Sequence, residues 1–111
     1  MPKRSIRDKI LDFKLATPHE ICLEFGARLK SQRLIKNIKQ KELAARAGVS
    51  VGTIKNIESK GQSSVETWVR ISVALDLIGE LQPLFTLKTR SIAEMEMIEK
   101  LRSQQIPRRA R

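Results

Sequence analysis

No tyrosine occurs in these 111 residues, and aromatics make up only 4%, one Trp and three Phe. A core must therefore be built from Leu, Ile, Val and Ala, which is enough for a small helical domain and little more. There is one cysteine, Cys22, so an intrachain disulfide is excluded. Its neighbours Ile21, Leu23 and Phe25 predict a buried structural thiol rather than a reactive one. There is one histidine, His19, and no nucleophile or metal partner accompanies it. No glycine-rich phosphate loop is present. The chain thus has no evident catalytic set, and no enzymatic activity, metal or cofactor is expected. No apolar run reaches the length of a membrane span, and no signal-peptide core is present, so no membrane association and a cytoplasmic location are expected.

Acidic residues are also scarce. Twelve Asp and Glu face 22 Lys and Arg, a net charge of +10. Such an excess favours polyanionic partners through the field it sets up.

The remaining signals converge on residues 40–58, QKELAARAGVSVGTIKNIE. Leu43, Ala44 and Ala47 share one side of a short helix. Gly48 follows directly and can take the positive φ that closes a helix. Ser50 can cap a second helix in which Val51, Ile54 and Ile57 recur every third position. Ala44 is small where two steeply crossed helices must touch. Two short helices with a tight turn between them form the pattern of a helix-turn-helix, whose second helix lies in a DNA major groove.

On either side, more helices are predicted. Ser5-x-x-Asp8 reads as a capping box opening a helix to about Leu15, with Ile6, Ile10, Leu11 and Phe13 apolar. Thr17-Pro18-His19-Glu20 is a stronger start, for a helix to about Lys36 with Ile21, Phe25, Leu29 and Leu34 inward and Arg28, Lys30, Arg33 and Lys36 outward. Asn37 can turn the chain in left-handed φ while Ile38 enters the core. Ser63-x-x-Glu66 predicts a helix to about Leu75 with Val65, Trp68, Val69, Ser72 and Leu75 on one side, Trp68 being core rather than a stacking platform. Asp76 is expected to cap a short fifth helix through Leu77, Ile78 and Leu81, closed by Pro83-Leu84-Phe85. Ser91-x-x-Glu94 then opens an amphipathic helix with Ile92, Met95, Ile98 and Leu101, and Ile106 to Arg111 forms a mobile basic tail. The expected organisation is all-α: an N-terminal extension over 1–16, a five-helix domain over 17–85, and a C-terminal helix and tail over 86–111.

Residues 25–85 resemble the lambda-repressor-like (Xre-type) helix-turn-helix regulators of bacteria and phages. The matching residues are Leu29-Lys30-Ser31-Gln32-Arg33, Gln40-x-x-Leu43-Ala44, Gly48-Val49-Ser50, Thr53-Ile54, Glu58 and Leu75. The resemblance implies a five-helix domain that binds double-stranded operator DNA, usually as a homodimer, in the bacterial nucleoid. It implies that Gln40 opens the second helix and touches a phosphate, and that Val51, Gly52, Lys55 and Asn56 face the bases. It also implies that Arg33 and Glu58 pair to brace the first helix against the third. The residue chemistry agrees in part. Asn56 can bond adenine in bidentate fashion, Lys55 can reach guanine or phosphate, and Val51 can meet a thymine methyl. Ser50 and Thr53 can donate to phosphate beside the helix amides, and Lys60 completes the DNA-facing set. Two departures, the Ser59-Lys60-Gly61 loop and the lack of a proline before the fourth helix, leave backbone contacts from Lys60 to Ser64 open.

A narrower resemblance is carried by residues 57–66 (IESKGQSSVE), Leu84-Phe85 and residues 107–111 (PRRAR). These pieces are similar to small HipB-type antitoxins. That likeness implies a repressor of its own operon that also binds a HipA-like kinase toxin; a stand-alone or phage-type regulator is the alternative.

Overall fold

Four helices of this chain start and stop on signals that the backbone chemistry makes explicit. The structure, a computed structural model, describes residues 11–88 and 91–105. The helices among these residues are α1 (Pro18–Ile35), α2 (Gln40–Ala47), α3 (Val51–Lys60), α4 (Val65–Ala74), α5 (Ile78–Leu81) and α6 (Ile92–Gln105), with no strand. Residues 1–10, 89–90 and 106–111, which include the Ser5 capping box and the basic tail, lie outside them. The chain divides into two compact units, Met1–Gly79 and Glu80–Arg111.

In the first unit, three of the four starts from α1 to α4 are side-chain caps, and α2 begins after Lys39 without one. Thr17 Oγ1 accepts the Glu20 N–H at 3.1 Å while Glu20 Oε1 accepts the Thr17 N–H at 2.8 Å, a complete capping box with Pro18 in the first turn. Ser50 caps α3 by accepting the Thr53 N–H. The cap of α4 is Ser64, which accepts the Thr67 N–H, and not Ser63 as the spacing to Glu66 predicts. The box pattern was one residue out of register because two serines are adjacent and a side-chain cap needs extended backbone, which Ser64 has.

The stops use left-handed residues. Asn37 (φ 58°), Gly48 (φ 73°) and Asp76 (φ 61°) each follow a helix. In each case the next residue donates its N–H five residues back: Ile38 to Arg33, Val49 to Ala44, Leu77 to Ser72. This closure satisfies orphan carbonyls and turns an apolar residue back towards the helix it leaves. Ile38 is buried, and Val49 and Leu77 pack against the core. Asp76 therefore ends α4 instead of capping α5. An aspartate tolerates the left-handed region because its short side chain can bond locally. Residues 11–16 are also not helical. Asp12 Oδ1 accepts the Lys14 N–H, and turns close at Leu15 and Ala16.

The core consists of Leu29, Ile38, Leu43, Ala44, Ala47, Ile54, Ile57, Ile71 and Leu75. Leu43, Ile54, Ile57, Ile71 and Leu75 are under 2% exposed, and each such side chain contributes about 1.5–3 kcal/mol on burial. Helix α3 lies against both α1 and α2, and α2 also packs on α4. Glycines set the α1–α3 distance. A Cβ on Gly26 would stand 2.2 Å from the Ile57 carbonyl oxygen, and one on Gly61 would run into the Cys22 backbone. The buried line of α1 is consequently Gly26, Leu29 and Arg33. Leu34 is 55% exposed and Cys22 only half-buried, against expectation, because the line turns with the glycine and the arginine. Val65 and Val69 are exposed, and Ile71 takes the inward place on α4. Phe25 is partly exposed but meets Phe13 edge-on at 5.4 Å and Trp68 at 6.2 Å, with the Arg28 guanidinium over the Phe13 and Phe25 rings.

In the second unit, Thr86 closes a turn onto the Pro83 carbonyl, and Ser91 Oγ accepts the Glu94 N–H at the start of α6. Three-residue steps each fall about 60° short of a full turn. The Ile92, Met95, Ile98 and Leu101 line therefore winds about halfway round α6, and Ile92, Met95 and Met97 are exposed.

Helix propensity alone predicts that Gly26→Ala stabilises the protein. The carbonyl at 2.2 Å reverses the sign, and the variant is expected to lose about 1–3 kcal/mol or more in urea unfolding. A gain in stability would show that α1 and α3 are not in this close contact.

Candidate nucleic-acid interface

Helix α3 turns one side inward and is fixed there by a buried charged network. Ile54, Ile57 and Glu58 are buried. Arg33, 6% exposed, donates from Nε to Glu58 Oε2 at 2.6 Å and from Nη2 to Glu58 Oε1 at 3.1 Å. Its Nη1 donates to the Ile38 carbonyl at 2.8 Å. Gln40 Nε2 adds a fourth bond, to Glu58 Oε1 at 3.0 Å. One guanidinium and one carboxylate thus join α1, the α1–α2 turn, the start of α2 and the end of α3. The fork geometry matches the carboxylate in both planes, which a lysine could not reproduce.

The opposite side of α3 carries Gly52, Lys55 and Ser59, all exposed, with Asn56 half-buried on its flank. Ser50 and Thr53 sit at its N-terminal end, their hydroxyls 2.9 Å apart. Lys60 lies exposed at the other end. Val51 does not share this face, because it is half-buried and packs against the core. Asn56 donates from Nδ2 to the Gln62 carbonyl at 2.9 Å. A carboxamide has two N–H donors and an acceptor, so one N–H and Oδ1 stay open to a ligand while the bond to Gln62 fixes the plane of the group. Gln40 likewise keeps one N–H beyond its bond to Glu58. Ser59 was not singled out from the sequence. Its place follows from Lys55 and Asn56 at four and three residues' spacing, and its hydroxyl donates to the Lys55 carbonyl at 2.8 Å, which leaves its lone pairs outward.

The electrostatics of this face are of one sign. Glu58 is the only carboxylate of α3, and it is buried against Arg33. Lys55 and Lys60 remain as the outward charges, with Lys39 and Lys41 exposed at the start of α2. The first-turn amides of α3 add partial positive charge where Ser50 caps it. The face can therefore hold an anionic surface at its N-terminal end and offer donors and acceptors along its length. Among the described residues, no three His, Cys, Asp or Glu side chains gather as a metal site, and no helix is long and apolar enough to cross a membrane.

Removing one partner of a buried ion pair strands the other charge, at a cost of about 3–5 kcal/mol. Arg33→Met and Glu58→Leu are each expected to lose that much in chemical denaturation, while the double variant recovers a large part of it. Small additive losses would show that the network is incidental.

Residues 29–78, from the inward leucine of α1 to the start of α5, match a family model described as helix-turn-helix. No curated protein matches the chain. The described residues are all-α, and the order of α1 to α4, the α2–turn–α3 unit and this match over residues 29–78 together give a helix-turn-helix fold of the lambda-repressor-like kind.

Proposed function

We propose that the protein is a sequence-specific regulator that binds double-stranded operator DNA as a homodimer and represses transcription, acting in the cytoplasm at the bacterial nucleoid. The observation that carries this reading is the outer face of α3. It joins Gly52, Lys55, Asn56 and Ser59 in one strip with no exposed carboxylate of its own helix, backed by a rigid clamp. A strip of that width fits the major groove of B-form DNA. Lys55 reaches guanine or phosphate, and Asn56 offers adenine its Oδ1 and free N–H. Ser50, Thr53, Gln40 and Lys60 hold the phosphates on either side. Duplex DNA is favoured over RNA because the major groove of A-form RNA is too narrow for a helix. Single-strand recognition is disfavoured because Phe13, Phe25 and Trp68 meet one another edge to face and offer no row of open stacking platforms.

The exposed Ile92, Met95 and Met97 of α6 support a further role for the C-terminal unit as a protein-binding element. Together with the HipB-like segments, they favour an antitoxin that holds a HipA-like kinase toxin and represses its own operon; without such a partner, the protein is a stand-alone regulator. Deleting residues 91–111 is expected to abolish capture of a HipA-like kinase while leaving DNA binding in place. Retained capture would remove the antitoxin reading from this segment.

Selection from random duplexes is expected to return a palindrome with half-sites about 34–36 Å apart. Log affinity should fall linearly with log salt between about 50 and 200 mM. A site without two-fold symmetry contradicts the homodimer, and affinity indifferent to salt contradicts the phosphate contacts.

A further inference from the structure

Glycine in a helix needs a reason, because it adds backbone freedom to the unfolded chain and leaves the helix less stable than alanine would. Most glycines of the first unit have an internal one. Gly26 and Gly61 touch neighbouring backbone so closely that a Cβ would stand 2.2 and 1.9 Å from a carbonyl oxygen. Gly48 and Gly61 adopt left-handed φ, at 73° and 67°. Gly79 is open as well, in the four-residue α5, away from the α3 strip in sequence.

Gly52 has no such reason. It lies in the first turn of α3 with an ordinary helical φ. The nearest atom to a Cβ built there is Ser50 Oγ at 3.8 Å, an ordinary contact. Alanine would fit the free protein and favour its helix. The position is nonetheless on the exposed strip, its first member, with Ser50 just before it and Lys55 and Asn56 one turn on. A glycine on a binding face removes the one atom that would hold a partner off the backbone.

We infer that Gly52 is a specificity-determining position whose lack of a side chain lets the α3 backbone close on the base edges of a DNA major groove. This rests on the duplex-DNA reading above and adds to it a contact made by an absent side chain. With Gly52 as a gap, Lys55, Asn56 and Ser59 reach the bases at their full length. A methyl group there lifts the first turn of the helix, so the loss falls on the bases read at close range and less on phosphates, which long cations can follow.

The test compares full-length wild type with Gly52→Ala, Gly52→Ser and Gly52→Val. Each is measured for thermal melting and for affinity to a duplex selected by the wild type from a random library and to a scrambled duplex. Gly52→Ala is expected to melt about 2–8 °C higher than wild type. Its affinity for the selected duplex is expected to fall about 10- to 100-fold, with a smaller loss on scrambled DNA. The valine variant should lose more than the alanine variant. These opposite signs separate a binding role from a structural one. A lower melting temperature for Gly52→Ala would give the glycine an internal structural role and overturn the inference. Undiminished affinity for the selected duplex would overturn it while leaving the duplex reading intact. If the wild type selects no duplex at all, both fall together.

Discussion

The Arg33–Glu58 pair is the constraint on which the rest of the first unit depends. Its three guanidinium bonds and the Gln40 bond tie four chain segments through two side chains, both nearly out of water. A buried ion pair contributes little net stability against well-packed apolar residues, because desolvation offsets most of the attraction. What it does supply is geometry. Apolar packing of Ile54 and Ile57 alone would tolerate small rotations of α3, since burial is nearly indifferent to direction. A bidentate carboxylate does not tolerate them. The glycines at 26 and 61 act on the same joint from the other side, setting how close α3 comes to α1. The exposed face of α3 is thereby aimed by groups that are themselves hidden.

That arrangement also explains why the outer face can be so uniformly cationic. Glu58 serves the clamp, so no carboxylate of α3 is left outside to oppose Lys55 and Lys60. On the proposed reading, the same residue that fixes the helix also clears its binding face of repulsive charge. The half-buried Asn56 continues the theme: its bond to the Gln62 carbonyl orients the amide before any ligand arrives, which lowers the ordering cost of a contact.

Much of the fold was legible because its signals are local. Thr17-Pro18-His19-Glu20, Gly48 and Ser50 mark helix ends by backbone chemistry that depends on a few neighbouring residues. Local rules failed where two local solutions competed. Ser63 and Ser64 both suit a cap, and Asp76 suits either a helix start or a left-handed stop. They failed again where tertiary contact decided. The inward line of α1 follows Gly26 and Arg33, which a search for apolar residues passes over in favour of Leu34. In the candidate site, the family resemblance indicated the α3 strip, but Val51 packs against the core and Ser59 joins from one turn further on. The Arg33–Glu58 pairing, 25 residues apart, could be reached only through family resemblance, because nothing in helical periodicity relates the two.

The most direct test of the account is a residue-by-residue map of the duplex contact, by amide chemical-shift perturbation on titrating a selected duplex into the isotope-labelled protein. The account predicts the largest shifts at Gln40 and Lys41 and from Ser50 to Ser59 along the outer side of α3, with the exposed valines of α4, Val69 and Val73, unmoved. Perturbations centred on α4 or α6, with α3 silent, would contradict it.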